Sequence, residues 1–366
     1  MPEHARTEEA VNRPMSLPIV AALLVLAPLP TLAARCDLNG VEVNTDNGAT
    51  TAGKTGVLKC YRDGKPWREQ EIRNGEFIGL DKRYDDDGSI SERQINANGN
   101  TEGVAREYFP NHQIKREGTY QNGSAVGAAR SYHLDGQLQG VRFYEKAGAQ
   151  PAVTIEFNAS GKPTDVRCGP RSLVPEDKPL CGFGGKRTEV VLYTAQDVKR
   201  ERRTFADGKA VAAESYDRGG KVTESFEATP KGRVERRFHP NGQVAQEFVV
   251  ENDYRVAETE WYMNGAVKSK TVREPVDRRP KSTVESFRDS GVLETRTRYQ
   301  GDARLDFERF DEAGKPAEAY SYDEDGNPKT HRKLAADGTV TLDEAFYPDG
   351  SRKVNTTGPK VSAPEK

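Results

Sequence analysis

The chain has 366 residues and a net charge of −2, from 55 Lys and Arg against 57 Asp and Glu. Only 34% of the residues are hydrophobic and 31% are charged, against the usual ~45–50% and ~25%. This argues against a large enzyme built on buried parallel strands, and the balanced charge gives no electrostatic reason to bind nucleic acid. Because 14 Tyr and 13 Phe are too many for a disordered chain, we expect a polar, turn-rich folded protein.

Residues 1–34 have the layout of a secretory signal peptide. The apolar run LPIVAALLVLAPLPTLAA follows Arg6 and Arg13 and ends in small residues. Three prolines interrupt it, which shortens it below the ~20 residues that a membrane-spanning helix needs. We therefore expect a periplasmic or secreted protein that meets the membrane only through this segment.

Residues 35–165 form a first repeat block. Asn-Gly and Asp-Gly pairs, which favour hairpin turns, recur with a period of 24 residues, and single turns lie 11 to 13 residues apart. His112 stands in the one turn slot that lacks a glycine. The short polar and β-branched segments between turns have the length of strands. The repeat-turn residues are Gly64, Gly75, Gly88, Gly99, Gly123 and Gly136.

Residues 166–188 and 189–352 complete the organisation. The first range breaks the repeat period and contains three prolines, so we interpret it as a linker that holds two cysteines. The second range repeats the aromatic-to-glycine pattern, as in FHPNG and YDEDG, and forms a second block. Residues 353–366 are polar and are interpreted as a flexible tail. The turn spacing predicts an all-β protein, an elongated antiparallel meander of stacked hairpin repeats in two blocks.

The stretch EYFPNHQIKREGTYQNGSAVGAARSYHLDGQLQG (107–140) resembles the MORN-repeat variant, the repeat found in bacterial YwqK-type antitoxins. RRFHPNGQVAQE and EWYMNGAVKSKT, in the second block, echo the same pattern. The resemblance implies stacked antiparallel hairpins in a single-layer sheet. It implies little about chemistry, because the motif consists of turn glycines and packing aromatics.

The four cysteines of an exported protein are expected to pair. Cys168 and Cys181 lie at the two ends of the proline-containing linker, and we expect them to form a disulfide. Cys36 and Cys60 occupy equivalent columns of consecutive repeats, which in a regular meander lie two strands, about 9.6 Å, apart. A Cys36–Cys60 disulfide therefore needs an irregular first repeat, and two free thiols remain the alternative.

The sequence contains no motif that points to a catalytic site, a cofactor or a metal. Glycine-rich and acidic segments such as GFGGKR and SYDEDG each lack residues that phosphate or calcium loops require. The two tryptophans, Trp67 and Trp261, are candidates for binding aromatics, although packing between strands explains them more simply. Alternating charges along the strands are interpreted as ion pairs on a solvated face.

We therefore expect a non-catalytic, exported repeat protein that acts as a protein-binding scaffold. A narrower hypothesis, taken from the resemblance, is an antitoxin or immunity protein that binds a cognate toxin. A third is an envelope module that binds glycans or lipid headgroups. We expect no cofactor and no nucleic acid partner.

Overall fold

The computed structural model describes residues 35–274 and 280–353. The proposed signal segment and all but one residue of the proposed tail lie outside these ranges. The described chain consists of β-strands, turns and two 3-10 helices of one turn each, Gly48–Thr50 and Pro175–Asp177. No helix in the described ranges is long and apolar enough to cross a membrane.

The first sheet has 12 strands and is antiparallel throughout, in the order β12-β11-β10-β9-β8-β7-β6-β5-β4-β3-β1-β2. Its strands are β1 (Arg35–Leu38), β2 (Val41–Val43), β3 (Gly56–Arg62), β4 (Lys65–Arg73), β5 (Glu76–Tyr84), β6 (Ile90–Ile95), β7 (Gly103–Tyr108), β8 (Ile114–Gln121), β9 (Ser124–Tyr132), β10 (Leu138–Tyr144), β11 (Val153–Phe157) and β12 (Pro163–Arg167).

The second sheet has 15 antiparallel strands in sequence order. They are β13 (Arg187–Tyr193), β14 (Lys199–Ala206), β15 (Lys209–Tyr216), β16 (Val222–Thr229), β17 (Gly232–Phe238), β18 (Val244–Glu251), β19 (Tyr254–Trp261), β20 (Val267–Arg273), β21 (Lys281–Phe287), β22 (Leu293–Gln300), β23 (Ala303–Phe310), β24 (Pro316–Tyr322), β25 (Pro328–Leu334), β26 (Val340–Phe346) and β27 (Arg352–Lys353). Two meanders of stacked hairpins confirm the predicted all-β fold.

The structure contains two kinds of turn, although the sequence suggested a single kind of hairpin turn. Most two-residue turns place both central residues at positive φ, as at Asn74 (50°) and Gly75 (88°). Wider turns place only the glycine there; Gly88, at 86°, donates its amide hydrogen to the Asp85 carbonyl. His112 adopts φ 66° in a wider turn. All six repeat-turn glycines named from the sequence have φ between 77° and 88°.

Neighbouring wide turns are linked by side chains along one edge of the sheets. In each link, a side chain in or beside one wide turn donates a hydrogen bond to a backbone carbonyl in the next wide turn on that edge or at the end of the strand before it. We call this row the turn ladder. Its links join Asn111 to Leu134, His133 to Phe157, Asn158 to Thr194, Lys221 to Pro240, His239 to Trp261, Asn264 to Asp289 and Arg288 to Asp311. The ladder therefore continues from the first sheet to the second.

The amino-terminal repeat is irregular. β1 pairs directly with β3, while β2 lies at the sheet edge, because residues 44–55 form a separate loop rather than a strand. This pairing sets Cys36 opposite Cys60, with their Cα atoms 4.0 Å apart in a disulfide. The irregular first repeat that a Cys36–Cys60 bond required is therefore present.

Residues 168–186, between the two sheets, are packed into a common core. Cys168 and Cys181 form a disulfide with Cα atoms 5.8 Å apart. Val174 and Cys181 from this segment pack against strands of both sheets. The buried apolar residues of this junction core are Val141, Val153, Ile155, Val166, Val174, Cys181, Val190, Leu192 and Phe205. The segment interpreted as a linker thus joins the two blocks through shared apolar burial.

Arginines from the second sheet cover the outer edge of β12. Arg203 donates a hydrogen bond to the Val166 carbonyl at 2.8 Å, and Arg200 donates one to the Thr164 carbonyl at 2.8 Å. An unpaired strand edge exposes backbone groups that invite pairing with other chains. These two side chains satisfy two of the carbonyls of that edge and link β14 to it.

Candidate functional site

A groove of about 1250 Å³ crosses the strands from β5 in the first sheet to β14 in the second. It runs perpendicular to the strands, so that each strand contributes only a few residues to it. The register of the sheet shows how its surface is built.

Two adjacent rows of side chains form the surface of the groove. Cross-strand partners link the first row in sequence: Arg83, Ser91, Glu107, Arg116, Ser131, Gly140 and Glu156. The second row, which we call the floor row, is Arg93, Ala105, Gly118, Ala129 and Arg142. In the floor row, three small residues separate two arginines.

A third row adds two aromatic side chains. Tyr120 lies opposite Gly103, and Tyr144 lies opposite Gly127, each two positions further along its strand than the floor row. Both tyrosines line the groove. The floor row therefore has charged residues on one side and tyrosines on the other.

The groove lies on the face opposite the junction core. Side chains alternate between the faces of a strand, and Val141, between Gly140 and Arg142, is fully buried in the core. The small and charged residues of these strands thus face the groove, while the apolar residues on the other face pack into the core.

The charged residues that line the groove are mainly arginines. Five arginines, Arg83, Arg93, Arg116, Arg142 and Arg200, and two glutamates, Glu107 and Glu156, line it from its own face, an excess of three positive charges in a chain whose net charge is −2. Arg116 lies 3.6 Å from Glu107, and its side chain is 64% exposed. Arg142 lies 2.8 Å from Glu156 and is 55% exposed. Exposed pairs of this kind contribute only ~0–1 kcal/mol, so these guanidinium groups are free to exchange partners.

A buried carboxylate anchors one end of the floor row. The Asp81 side chain is fully buried and accepts hydrogen bonds from Arg68 at 2.8 Å and Arg93 at 2.9 Å. Burial alone would raise the pKa of Asp81, but the hydrogen bonds from Arg68 and Arg93 outweigh it and hold that pKa below its ordinary value. Asp81 therefore stays ionised and fixes the position of Arg93.

The opposite face of these strands carries a repeated network of a cation, a glutamate and a tyrosine. Lys82 and Tyr108 both contact Glu92, and the hydrogen bond from Lys82 lowers the pKa of Glu92. One repeat later, Arg106 and Tyr132 contact Glu117.

The next repeat has no glutamate in the equivalent position, where Val141 stands instead. There, Arg130 pairs at 2.9 Å with Glu176 from the segment between the sheets. Glu176 thus takes the place of the missing repeat glutamate and holds that segment against the first sheet.

The residues singled out from the sequence lie elsewhere. The repeat-turn glycines lie at the sheet edges. Trp67 is partly buried against a cluster of apolar residues in β1 to β4 that includes Leu58 and Ile72, and the Arg62 guanidinium lies 5.2 Å from its ring. Trp261 ends β19, and its carbonyl accepts a hydrogen bond from His239. Neither tryptophan lines the groove.

The groove arginines could not be identified as a site from the sequence. Segments such as IKREG suggested alternating charges on a solvated face, and their ion pairs are indeed present. The sequence feature that could have indicated the groove is the series of small residues Ala105, Gly118 and Ala129. These residues form a row only when the register of the strands is known. No group of three or more His, Cys, Asp or Glu side chains in the described ranges could hold a metal ion.

Residues 101–122, which span β7 and β8 in the middle of the groove, match the MORN repeat variant. This part of the chain is therefore similar to a MORN-type repeat. No curated protein gives a significant match to the chain.

Three solved structures show a remote likeness. A mutant S. aureus TarM in complex with Fondaparinux, alpha-GlcNAc-glycerol and UDP has 14% identity and a TM-score of 0.22, over 30% of this chain and 21% of that one. A second TarM structure has 15% identity and a TM-score of 0.20, over 27% and 19%. The Photorhabdus luminescens Tc holotoxin pore has 11% identity and a TM-score of 0.15, over 81% and 18%. The chain spans about a fifth of each, and none carries an argument about this protein.

Proposed function

We propose that this chain is a non-catalytic, exported repeat protein whose first sheet acts as a protein-binding scaffold. The observation that carries the proposal is the long arginine-lined groove across the MORN-type repeat. Small-molecule sites are usually enclosed cavities of ~300–1,000 Å³. This groove is open and crosses many strands, a form that suits an extended partner. Repeat sheets commonly present long binding surfaces of this kind.

The cysteines support the export part of the proposal. Disulfides persist in oxidising compartments, and both cysteine pairs of this chain are bonded. A periplasmic or secreted location fits this chemistry. The signal segment remains a prediction from the sequence, which amino-terminal sequencing of the mature protein tests.

The proposal is tested by crosslinking in the envelope fraction of the producing cell. The full chain serves as bait, with a lysine-reactive crosslinker and mass-spectrometric mapping of the linked residues. Lys162 lies 5.0 Å from the ring of the groove residue Tyr193, and Lys199 directly precedes the groove residue Arg200. We expect crosslinks from one protein partner at these lysines. Crosslinks scattered evenly over both sheets would contradict the proposal.

The same experiment separates the narrower hypotheses. A single small protein bound in stoichiometric amount, whose toxicity the chain suppresses in a growth assay, would establish an antitoxin or immunity role. Recovery of cell-wall glycan or lipid, without protein, would replace the scaffold with an envelope-binding module.

A further inference from the structure

We infer that the groove binds an acidic, proline-rich segment of the partner in polyproline II conformation. This inference rests on the proposed protein-binding function and names the chemistry of the partner. Three features of the groove carry it: the charge of its side chains, their spacing, and the tyrosines beside the floor row.

The charge favours an acidic ligand. Arginine presents a planar fork of donors that matches a carboxylate, and it binds carboxylates in a bidentate manner. Arg116 and Arg142 are more than half exposed and reach glutamates that are themselves 45% and 41% exposed. A ligand carboxylate can replace either glutamate as the partner of its arginine, because neither ion pair is shielded from solvent.

The spacing favours a ligand with an acidic residue at every third position. Arg93, Arg116 and Arg142 lie on β6, β8 and β10, so successive arginines are two strands apart. With strands ~4.8 Å apart, this is a step of about 9.6 Å across the sheet. A polyproline II helix rises ~3.1 Å per residue and repeats every three residues, a step of about 9.3 Å. A segment laid along the floor row therefore brings carboxylates six residues apart to Arg93 and Arg142. The carboxylate between them faces β8, where Arg116 lies in the adjacent row, two positions or about 6.8 Å along its strand from Gly118.

The tyrosines favour proline at the intervening positions. Tyr120 and Tyr144 lie on β8 and β10, and thus share the same two-strand step. Aromatic-lined grooves bind polyproline II segments because proline rings pack on the aromatic faces and the helix is already ordered before binding. The floor row between the arginines consists of small residues, and Ala129 and Tyr120 pack over the buried Gly118, so that the Tyr120 ring forms part of the groove surface.

The test uses a fluorescein-labelled peptide of repeated Asp-Pro-Pro triplets and the full chain, with anisotropy as the readout. The control peptide has the same composition with all aspartates consecutive. The groove variant is Arg116→Gln with Arg142→Gln. The matched control is Arg237→Gln with Arg332→Gln, which removes two arginines from exposed ion pairs on the second sheet. Circular dichroism and the thermal midpoint establish that both double variants remain folded.

We expect the triplet peptide to bind the wild type and the control variant alike, and the groove variant to bind it about tenfold more weakly or worse. We also expect Tyr144→Leu to weaken it. Equal binding of the consecutive-aspartate peptide would overturn the polyproline II spacing. Unchanged binding to the groove variant would overturn the site.

Other outcomes separate this inference from the proposed function. Binding of heparin or of phosphatidylglycerol vesicles, with none of the triplet peptide, would show that the groove takes a polyanion or a membrane surface and would overturn the inference. If the groove variant still captured the crosslinked protein partner, the scaffold function would stand and the acidic-segment site would fall.

Discussion

The junction between the two sheets and the carboxyl-terminal part of the second sheet use different means of stabilisation. The junction core contains nine buried apolar residues drawn from both sheets and the segment between them. Beyond β14, the buried apolar residues in the described ranges are few and far apart: Ala213, Phe248, Val250 and Phe310. That region relies instead on cross-strand ion pairs, aromatic contacts and the turn ladder.

This difference indicates that cooperative unfolding is concentrated at the junction core. Each fully buried Val, Leu or Phe contributes ~1.5–3 kcal/mol, whereas an exposed ion pair contributes ~0–1 kcal/mol. In a repeat sheet most contacts join neighbouring strands, so the carboxyl-terminal strands fold and fray locally. The sequence suggested a separation of two blocks at residues 166–188. Because that segment is part of the core, we expect unfolding to begin at the carboxyl end instead.

The largest expected effect comes from a cavity in the junction core. Leu192 is fully buried, and Leu→Ala in a core costs ~2–5 kcal/mol. We expect Leu192→Ala to lower the free energy of unfolding by about 3 kcal/mol, measured by urea denaturation. The half-buried Leu342 of β26 is the matched control, and Leu342→Ala should cost less than about 1 kcal/mol. Equal losses would remove the distinction between the two regions.

A second prediction compares two glycines in two-residue turns. Gly208 and Gly123 have φ of 79° and 82° and each follows a positive-φ Asp or Asn. A Cβ at Gly208 would overlap the carbonyl oxygen of Gly169, whereas at Gly123 the nearest atom is 3.8 Å away. Gly123→Ala should therefore cost about 1–2 kcal/mol from the backbone angle alone. We expect Gly208→Ala to cost about 1 kcal/mol more. Similar thermal midpoints for both would contradict the close approach.

The disulfides sharpen the comparison by position. The Cys168–Cys181 bond closes a loop in the junction core, and its removal by double alanine substitution should cost about 3 kcal/mol. Removal of the Cys36–Cys60 bond at the amino-terminal edge by the same substitutions should increase hydrogen exchange only in β1 to β3. Hydrogen exchange read by mass spectrometry distinguishes the two results. Loss of protection throughout both sheets in the Cys36–Cys60 variant would show that this edge is coupled to the core.

The smallest expected effect is the pH dependence of the carboxyl-terminal strands. Burial would raise the pKa of Glu318, but hydrogen bonds from His331 and Arg309 lower it from 4.5 to about 2. The folded state therefore gains stability above pH 4.5, and loses it as the pH falls towards 2. Glu318→Gln should remove part of this acid-induced loss. An NMR titration that placed Glu318 at its ordinary pKa would contradict the assignment.

The turns and strands could be predicted because each turn glycine requires a positive φ that few other residues adopt. The face of the sheet on which each side chain lies could not be predicted. Glu92 and Arg116 both lie four positions after their turn residue, Gly88 or His112, yet they lie on opposite faces of the sheet. A β-bulge opposite Tyr108 inserts one extra residue into β8, which reverses the face on which the following side chains of that strand lie. The floor row depends on this register, and so does the groove.

The turn ladder also bears on how the molecule responds to force. The strands lie across the direction in which each sheet grows, so a pull between the chain ends opens hydrogen bonds one pair at a time instead of shearing a whole strand. Each two-strand unit released would lengthen the chain by roughly 80 Å at ~3.4 Å per residue. The ladder ties many wide turns to the next, and these links must break before a unit can peel away. A tethered molecule of this kind would extend in regular steps under low force, with the junction core as the last part to open.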